Sequence, residues 1–106
     1  MPKYLCHANY VGDGVKGILK EGGTSRYAAV EEMVKSLGGS LETFYYAFGE
    51  TDVYAIVELP DNATAAAFAL TVNASGAATV KTTVLITPEE VDQASKRKLS
   101  YRPPGQ

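Results

Sequence analysis

Over residues 3–10, Lys-Tyr-Leu-Cys-His-Ala-Asn-Tyr, apolar and polar positions alternate loosely, and this period of two predicts a first strand. Gly12 and Gly14 break it. From Val15 the period lengthens. Val15, Ile18 and Leu19, then Tyr27, Val30, Met33, Val34 and Leu37, recur at three- and four-residue steps, which is helical spacing. Gly22-Gly23 interrupts that run, and an interior glycine costs about 1 kcal/mol relative to alanine, so a break or sharp kink is expected. Thr24 or Ser25 is the expected cap of the restart, and Gly38-Gly39 the stop.

Residues 41–48 and 52–59 predict a second and a third strand, joined by the Gly49-Glu50-Thr51 turn. Pro60 ends the third, and Asp61 caps an alanine-rich helix over residues 62–74. Gly76 closes that helix, and residues 79–87 return as a fourth strand. Thr87-Pro88-Glu89-Glu90 then carries every local signal of a helix start: a capping threonine, proline at the first position and glutamate at the third. The tail, about residues 98–106 with Pro103-Pro104, is expected to be extended.

The order strand, helix, strand, strand, helix, strand plus a terminal helix predicts an α+β domain of the ferredoxin-like type, βαββαβ. Short, right-handed connections make it a four-stranded antiparallel sheet with both main helices on one face. The 106 residues fit one domain spanning 1–106. Ten basic against twelve acidic residues give a net charge of −2, which offers no clustered positive field for nucleic acid. The single cysteine, Cys6, excludes an intramolecular disulfide and a thiolate-rich metal cluster. Met1-Pro2-Lys3 leads straight into a strand, and no apolar run approaches the roughly 18 residues of a membrane span. A cytoplasmic protein is therefore expected, with neither membrane nor nucleic-acid partner and no cofactor or metal.

Side chains alternate across a strand, so each strand supplies two sets. Val53, Ala55, Val57, Leu59, Val80, Val84 and Ile86 are placed under the helices. Phe44, Tyr46, Phe48, Cys6 and Ala8 are expected to join them. The other set is His7, Asn9, Thr43, Tyr45, Tyr54, Ile56, Lys81, Thr83 and Leu85. It is too mixed for a core and too aromatic for a plain wet surface, and such a face usually marks an interface. The natural cover is a second copy packed sheet to sheet about a two-fold axis. If the two sheets curve, an eight-stranded barrel with a cavity results. A one-residue slip of the first strand would exchange His7 for Tyr4, Cys6 and Tyr10.

Several short stretches, taken together in order and spacing, carry a family resemblance. They are Pro2-Lys3-Tyr4-Leu5, Gly17-Ile18-Leu19-Lys20-Glu21-Gly22-Gly23, Arg26 and Leu37-Gly38-Gly39. They continue with Phe44–Gly49, Asp52-Val53, Leu59-Pro60-Asp61-Asn62, Val72–Gly76 and Thr87–Val91. In these the chain resembles the GYD family, small bacterial and archaeal proteins named for a Gly-Tyr-Asp motif. One departure is plain: the family tyrosine just before Asp52 is Thr51 here. The resemblance implies a dimeric α+β barrel of ferredoxin-like halves and implies no activity.

The candidate ligand-binding residues are His7, Asn9, Tyr45, Tyr54 and Lys81, all on the uncovered face. His7, the sole histidine, is a candidate proton carrier or ligand donor, and equally an interface histidine. Phenols such as Tyr45 and Tyr54 stack on a ligand and donate at its edge, though packing across a dimer accounts for them as well. A mid-strand lysine wants an acid or an anionic ligand, and Glu58 is the expected partner of Lys81. Asp52, opening a strand after a turn, is expected to bond nearby backbone. Arg26 beside Gly22-Gly23 is a weaker candidate for anion binding. Three functional classes fit: a homo-oligomeric small-ligand-binding module, a cofactor-independent enzyme of isomerase or monooxygenase type, and a purely structural assembly protein.

Overall fold

The structure, a computed structural model, describes residues 1–106. The elements are β1 (Lys3–Tyr10), α1 (Asp13–Glu21), α2 (Gly23–Ser36), β2 (Ser40–Tyr46), β3 (Val53–Glu58), α3 (Asn62–Ala74), β4 (Ala78–Leu85) and α4 (Pro88–Ser95). The strands form one antiparallel sheet in the order β2-β3-β1-β4, the ferredoxin-like arrangement expected from the element order.

Local chemistry explains most boundaries. The helical run breaks at Gly22, whose φ of 84° lies in the left-handed region that glycine enters without strain. Gly22 closes α1, its N–H donating to the Ile18 carbonyl at 2.8 Å, and also precedes α2 directly. Neither Thr24 nor Ser25 caps α2, a correction to the sequence reading: the glycine pair places both inside the first turn. Gly38, with φ of 82°, turns the chain out of α2. Asp61 caps α3 by accepting from the Thr64 backbone N–H at 2.8 Å, and Thr87 and Glu90 form the expected capping box on α4.

The core lies between the sheet and the helices. Tyr4, Cys6, Ala55, Val57, Leu59 and Val80 pack there against Val34 of α2 and Ala65 and Phe68 of α3, with Val53 also buried. These are the strand positions expected to face the helices, so β1 has the parity that puts His7 on the opposite side. Two polar clasps fasten the layers. The Tyr4 hydroxyl donates to Asn62 Oδ1 at 2.7 Å, and Asn73 uses its side-chain amide like a strand neighbour, accepting from the Val80 N–H at 2.7 Å.

Four expected core members stay outside, among them Tyr46, which is 38% exposed at the end of β2. Phe48 is wholly exposed, because β2 ends at Tyr46 and the alternation no longer applies two residues later. Val84 and Ile86 remain more than half exposed, at 53% and 57%. Val84 faces the helix side, but β4 is an edge strand that α3 covers only in part, and Ile86 lies beyond the strand's end.

The last helix and the tail stand apart from this body. α4 buries no residue, and residues 96–106 are exposed throughout. The radius of gyration is 17.1 Å, against about 13 Å expected for a rounded domain of this length, and the longest dimension is 57 Å. No helix is long and apolar enough to cross a membrane.

Candidate functional site

Register brings four of the five candidate residues into one row. On β1, His7 lies opposite Tyr54 of β3 on one side and Lys81 of β4 on the other, and Tyr54 lies opposite Tyr45 of β2. Strands lie about 4.8 Å apart, so Tyr45, Tyr54, His7 and Lys81 form a band crossing all four strands on the face that no helix covers. The His7 and Tyr54 rings meet at 5.3 Å between centroids and a 56° tilt. Tyr45 is 70% exposed and Tyr54 43% exposed, which is a large aromatic area to leave in water. Ile56 and Leu5, opposite one another, and Thr83 and Leu85 extend the same face.

His7 is the chemically unusual member. Its Nε2 is sealed from solvent yet has no hydrogen-bond partner within the chain. A buried polar atom left unpaired costs about 1–3 kcal/mol, so this row is short of one polar group. Lys81 is exposed and forms none of the chain's ion pairs. The expected Lys81–Glu58 pair is not formed. Glu58 lies opposite Lys3, and its carboxylate sits 3.8 Å from the Lys3 ammonium, while Lys81 is four positions away along β1. Lys3 pairs most closely with Glu42, at 2.9 Å, which holds its ammonium above the usual lysine range.

Asn9, the fifth candidate, lies at the end of the face, and its side-chain carbonyl accepts from the Asp52 N–H at 2.9 Å. That same N–H reaches the Ala8 carbonyl at 3.0 Å, and Asp52 Oδ2 accepts from the Tyr10 N–H at 3.0 Å. Asp52 therefore clasps the end of β1 across 42 positions of chain, and the local turn bond expected for it is replaced by a long-range one.

Arg26 lies elsewhere, on the helix side, and sequence reasoning missed its company there. Three adjoining clefts meet at Tyr10, the last residue of β1. One, of about 420 Å³, is bounded by the apolar stripe of α1 (Val15, Ile18, Leu19) and by Tyr46 and Phe48. The other two run between the sheet and the helices and share Arg26. Tyr46 donates its hydroxyl to the Gly23 carbonyl at 2.8 Å. Burial pushes the Tyr46 phenol up, Tyr10 adds to this, and the Arg26 charge opposes it. The one available signal was the aromatic end of β1 followed by Gly12 and Gly14. Cys6 faces the core, where burial raises its thiol to about 11. No group of three or more His, Cys, Asp or Glu side chains converges anywhere in the fold.

A β2-β3-β1-β4 antiparallel sheet with helices on one face defines an α+β protein of the ferredoxin-like class. Within that class the chain belongs to the GYD domain family, whose family model matches residues 4–95. Neither the curated proteins nor the solved structures yield a match to this chain.

Proposed function

We propose that this chain is a homo-oligomeric binding module for a small molecule, with the ligand space formed where the bare sheet faces of two copies meet. The observation that carries the reading is the row Tyr45–Tyr54–His7–Lys81, whose central imidazole has a buried, unbonded Nε2. A purely packing interface has no need of an unpaired imidazole next to an unpaired ammonium. A ligand carrying a carbonyl or carboxylate on an aromatic or planar body matches both once the His7 ring turns to bring its sealed nitrogen to the face: its oxygen takes the Lys81 ammonium and the histidine N–H, and its ring stacks on the tyrosines.

The C-terminal arm supports self-association. Residues 96–106 carry four cations (Lys96, Arg97, Lys98, Arg102) and no acid, whereas residues 1–87 carry six basic and nine acidic residues. A helix of eight residues is marginal in water unless its apolar side is covered, and the chain's own body buries none of α4. A second copy offers both the apolar cover and the complementary charge.

A second reading, a cofactor-independent enzyme, draws on the same histidine as its acid–base group. The two readings separate in one experiment. A panel of small aromatic and carbonyl compounds is screened by thermal shift, and each hit is titrated into the wild type and His7→Ala. Binding predicts saturable hits weakened at least several-fold by the substitution, with the compound recovered unchanged. Chemical conversion abolished in His7→Ala favours the enzyme. A broad panel without hits removes both and leaves the assembly role.

A further inference from the structure

The second cavity system lies on the opposite side of the sheet and owes nothing to the row around His7. Between the sheet and the helices a deep floor of about 70 Å³ is lined by twelve hydrophobic residues and one charged one, Arg26. Met33, Phe68, Val72 and Val80 are among its walls. Above it a wider mouth of about 400 Å³ shares Tyr10, Arg26, Met33, Val72 and Ala78 with the floor, so the two form one continuous cleft. Arg26 is half-buried, and the four ion pairs of the chain leave it out. A guanidinium carries five donors in a fixed fork, and here it makes no ion pair: the floor holds no acid, and Asp13 and Glu21 stand only at the mouth.

We propose that this cleft binds a small monocarboxylate with an apolar body, its carboxylate on Arg26 and its alkyl chain or ring in the floor. Three features select that class. A carboxylate matches the guanidinium fork with two parallel hydrogen bonds, and an apolar body replaces water against the floor. The third is the rim: Asp13 and Glu21 line the mouth but not the floor, and their negative charge penalises a phosphate or a dianion more than a single carboxylate. The Tyr10 side chain, shared by floor and mouth, closes the site on the β1 side.

The test compares octanoate, octanol and octyl phosphate by backbone-amide and methyl NMR titration of the full chain. Octanoate is expected to shift Met33, Val72 and Ala78 and to bind at least tenfold more tightly than octanol. Octyl phosphate is expected to bind more weakly than octanoate. Arg26→Gln removes that tenfold preference while octanol binding persists, and Ala78→Leu, which fills the junction of floor and mouth, weakens both. Arg26 is half-exposed, so its substitution keeps the comparison usable if the filled variant does not fold. Equal affinity for octanoate and octanol overturns the proposal, as does the absence of binding at millimolar concentration. Shifts confined to His7, Tyr54 and Lys81 overturn it as well, and in that case the site on the bare sheet face still stands.

Discussion

Replacing Asp52 isolates the long-range clasp that ends β1. Its Oδ2 accepts from the Tyr10 N–H at 3.0 Å, in a half-buried position, and its own N–H is shared between the Ala8 carbonyl and Asn9 Oδ1. Asp52→Ala removes only the first of these, a hydrogen bond to a charged acceptor, and leaves the Tyr10 N–H unpaired. Such a loss costs about 1.5–3 kcal/mol, and the half-exposed site, where water reaches in, places it near the lower end. Asp52→Asn keeps a neutral acceptor at the same place and is expected to cost about half as much. Asn9→Ala is expected to cost less than 1 kcal/mol, since the Asp52 N–H still reaches Ala8. Urea denaturation followed by circular dichroism reads these values. With an m-value of about 1–2 kcal/mol/M for a chain of this size, Asp52→Ala lowers the midpoint by roughly 1 M. If Asp52→Ala and Asp52→Asn both match the wild type, the clasp does not hold β1. Asp52 would then be free for a ligand role, and the structural account of this aspartate is wrong.

Three further expectations follow from the same geometry. The Cys6 thiol, raised to about 11 by burial, is expected to resist a thiol reagent at pH 8 in the folded protein and to react promptly in urea; prompt native reaction contradicts its burial. Asp61 is held below the usual carboxylate range by the Thr64 backbone N–H and then by the Thr64 hydroxyl, both of which donate to it. Its contribution is therefore present above the unfolded aspartate range and lost as pH falls through the lowered value, so Asp61→Asn should flatten the stability curve on its acid side, below the usual aspartate range. A Cβ at Gly39 would sit 2.1 Å from the Glu58 carbonyl oxygen, while one at Gly17 in α1 meets nothing within 4 Å. Gly39→Ala is thus expected to destabilise by about 1–3 kcal/mol and Gly17→Ala to stabilise by about 0.5–1 kcal/mol. Equal effects at the two glycines would falsify the close approach of β2 to β3.

The order of elements was legible in the residues because its signals are local. The Gly22-Gly23 break, the Asp61 cap over residues 62–74 and the Thr87–Glu90 box each act within one turn of chain. The parity of β1 was not settled by alternation, which left a one-residue slip open; the burial of Tyr4 and Cys6 against the helices settles it and puts His7 on the other face. Readings that depended on distant partners fared differently. Lys81 and Glu58 share a face, but Glu58 ends β3, and the register of β1 with its two neighbours sets them four positions, about 13 Å, apart along the strands and on opposite sides of β1. Phe48 lost its place in the core because β2 stops two residues earlier than its aromatic pattern does. Val84 points toward the helices and still meets water, because how far α3 reaches over β4 is a matter of packing and not of alternation. The clefts around Tyr10 and Arg26 were hidden for the same reason: they are the space left where α1, α2 and α3 settle on the sheet.

The binding reading depends on two copies meeting through the sheet face that no helix covers. Light-scattering mass measurement on the eluting protein, at micromolar concentration, tests this most directly. A mass of twice the 11.3 kDa chain, or a higher multiple, is predicted for the wild type. Ile56→Lys, placing a charge in the middle of that face, is predicted to release folded single chains. A wild type that elutes at 11.3 kDa at every concentration, or an Ile56→Lys variant that assembles as the wild type does, contradicts the account.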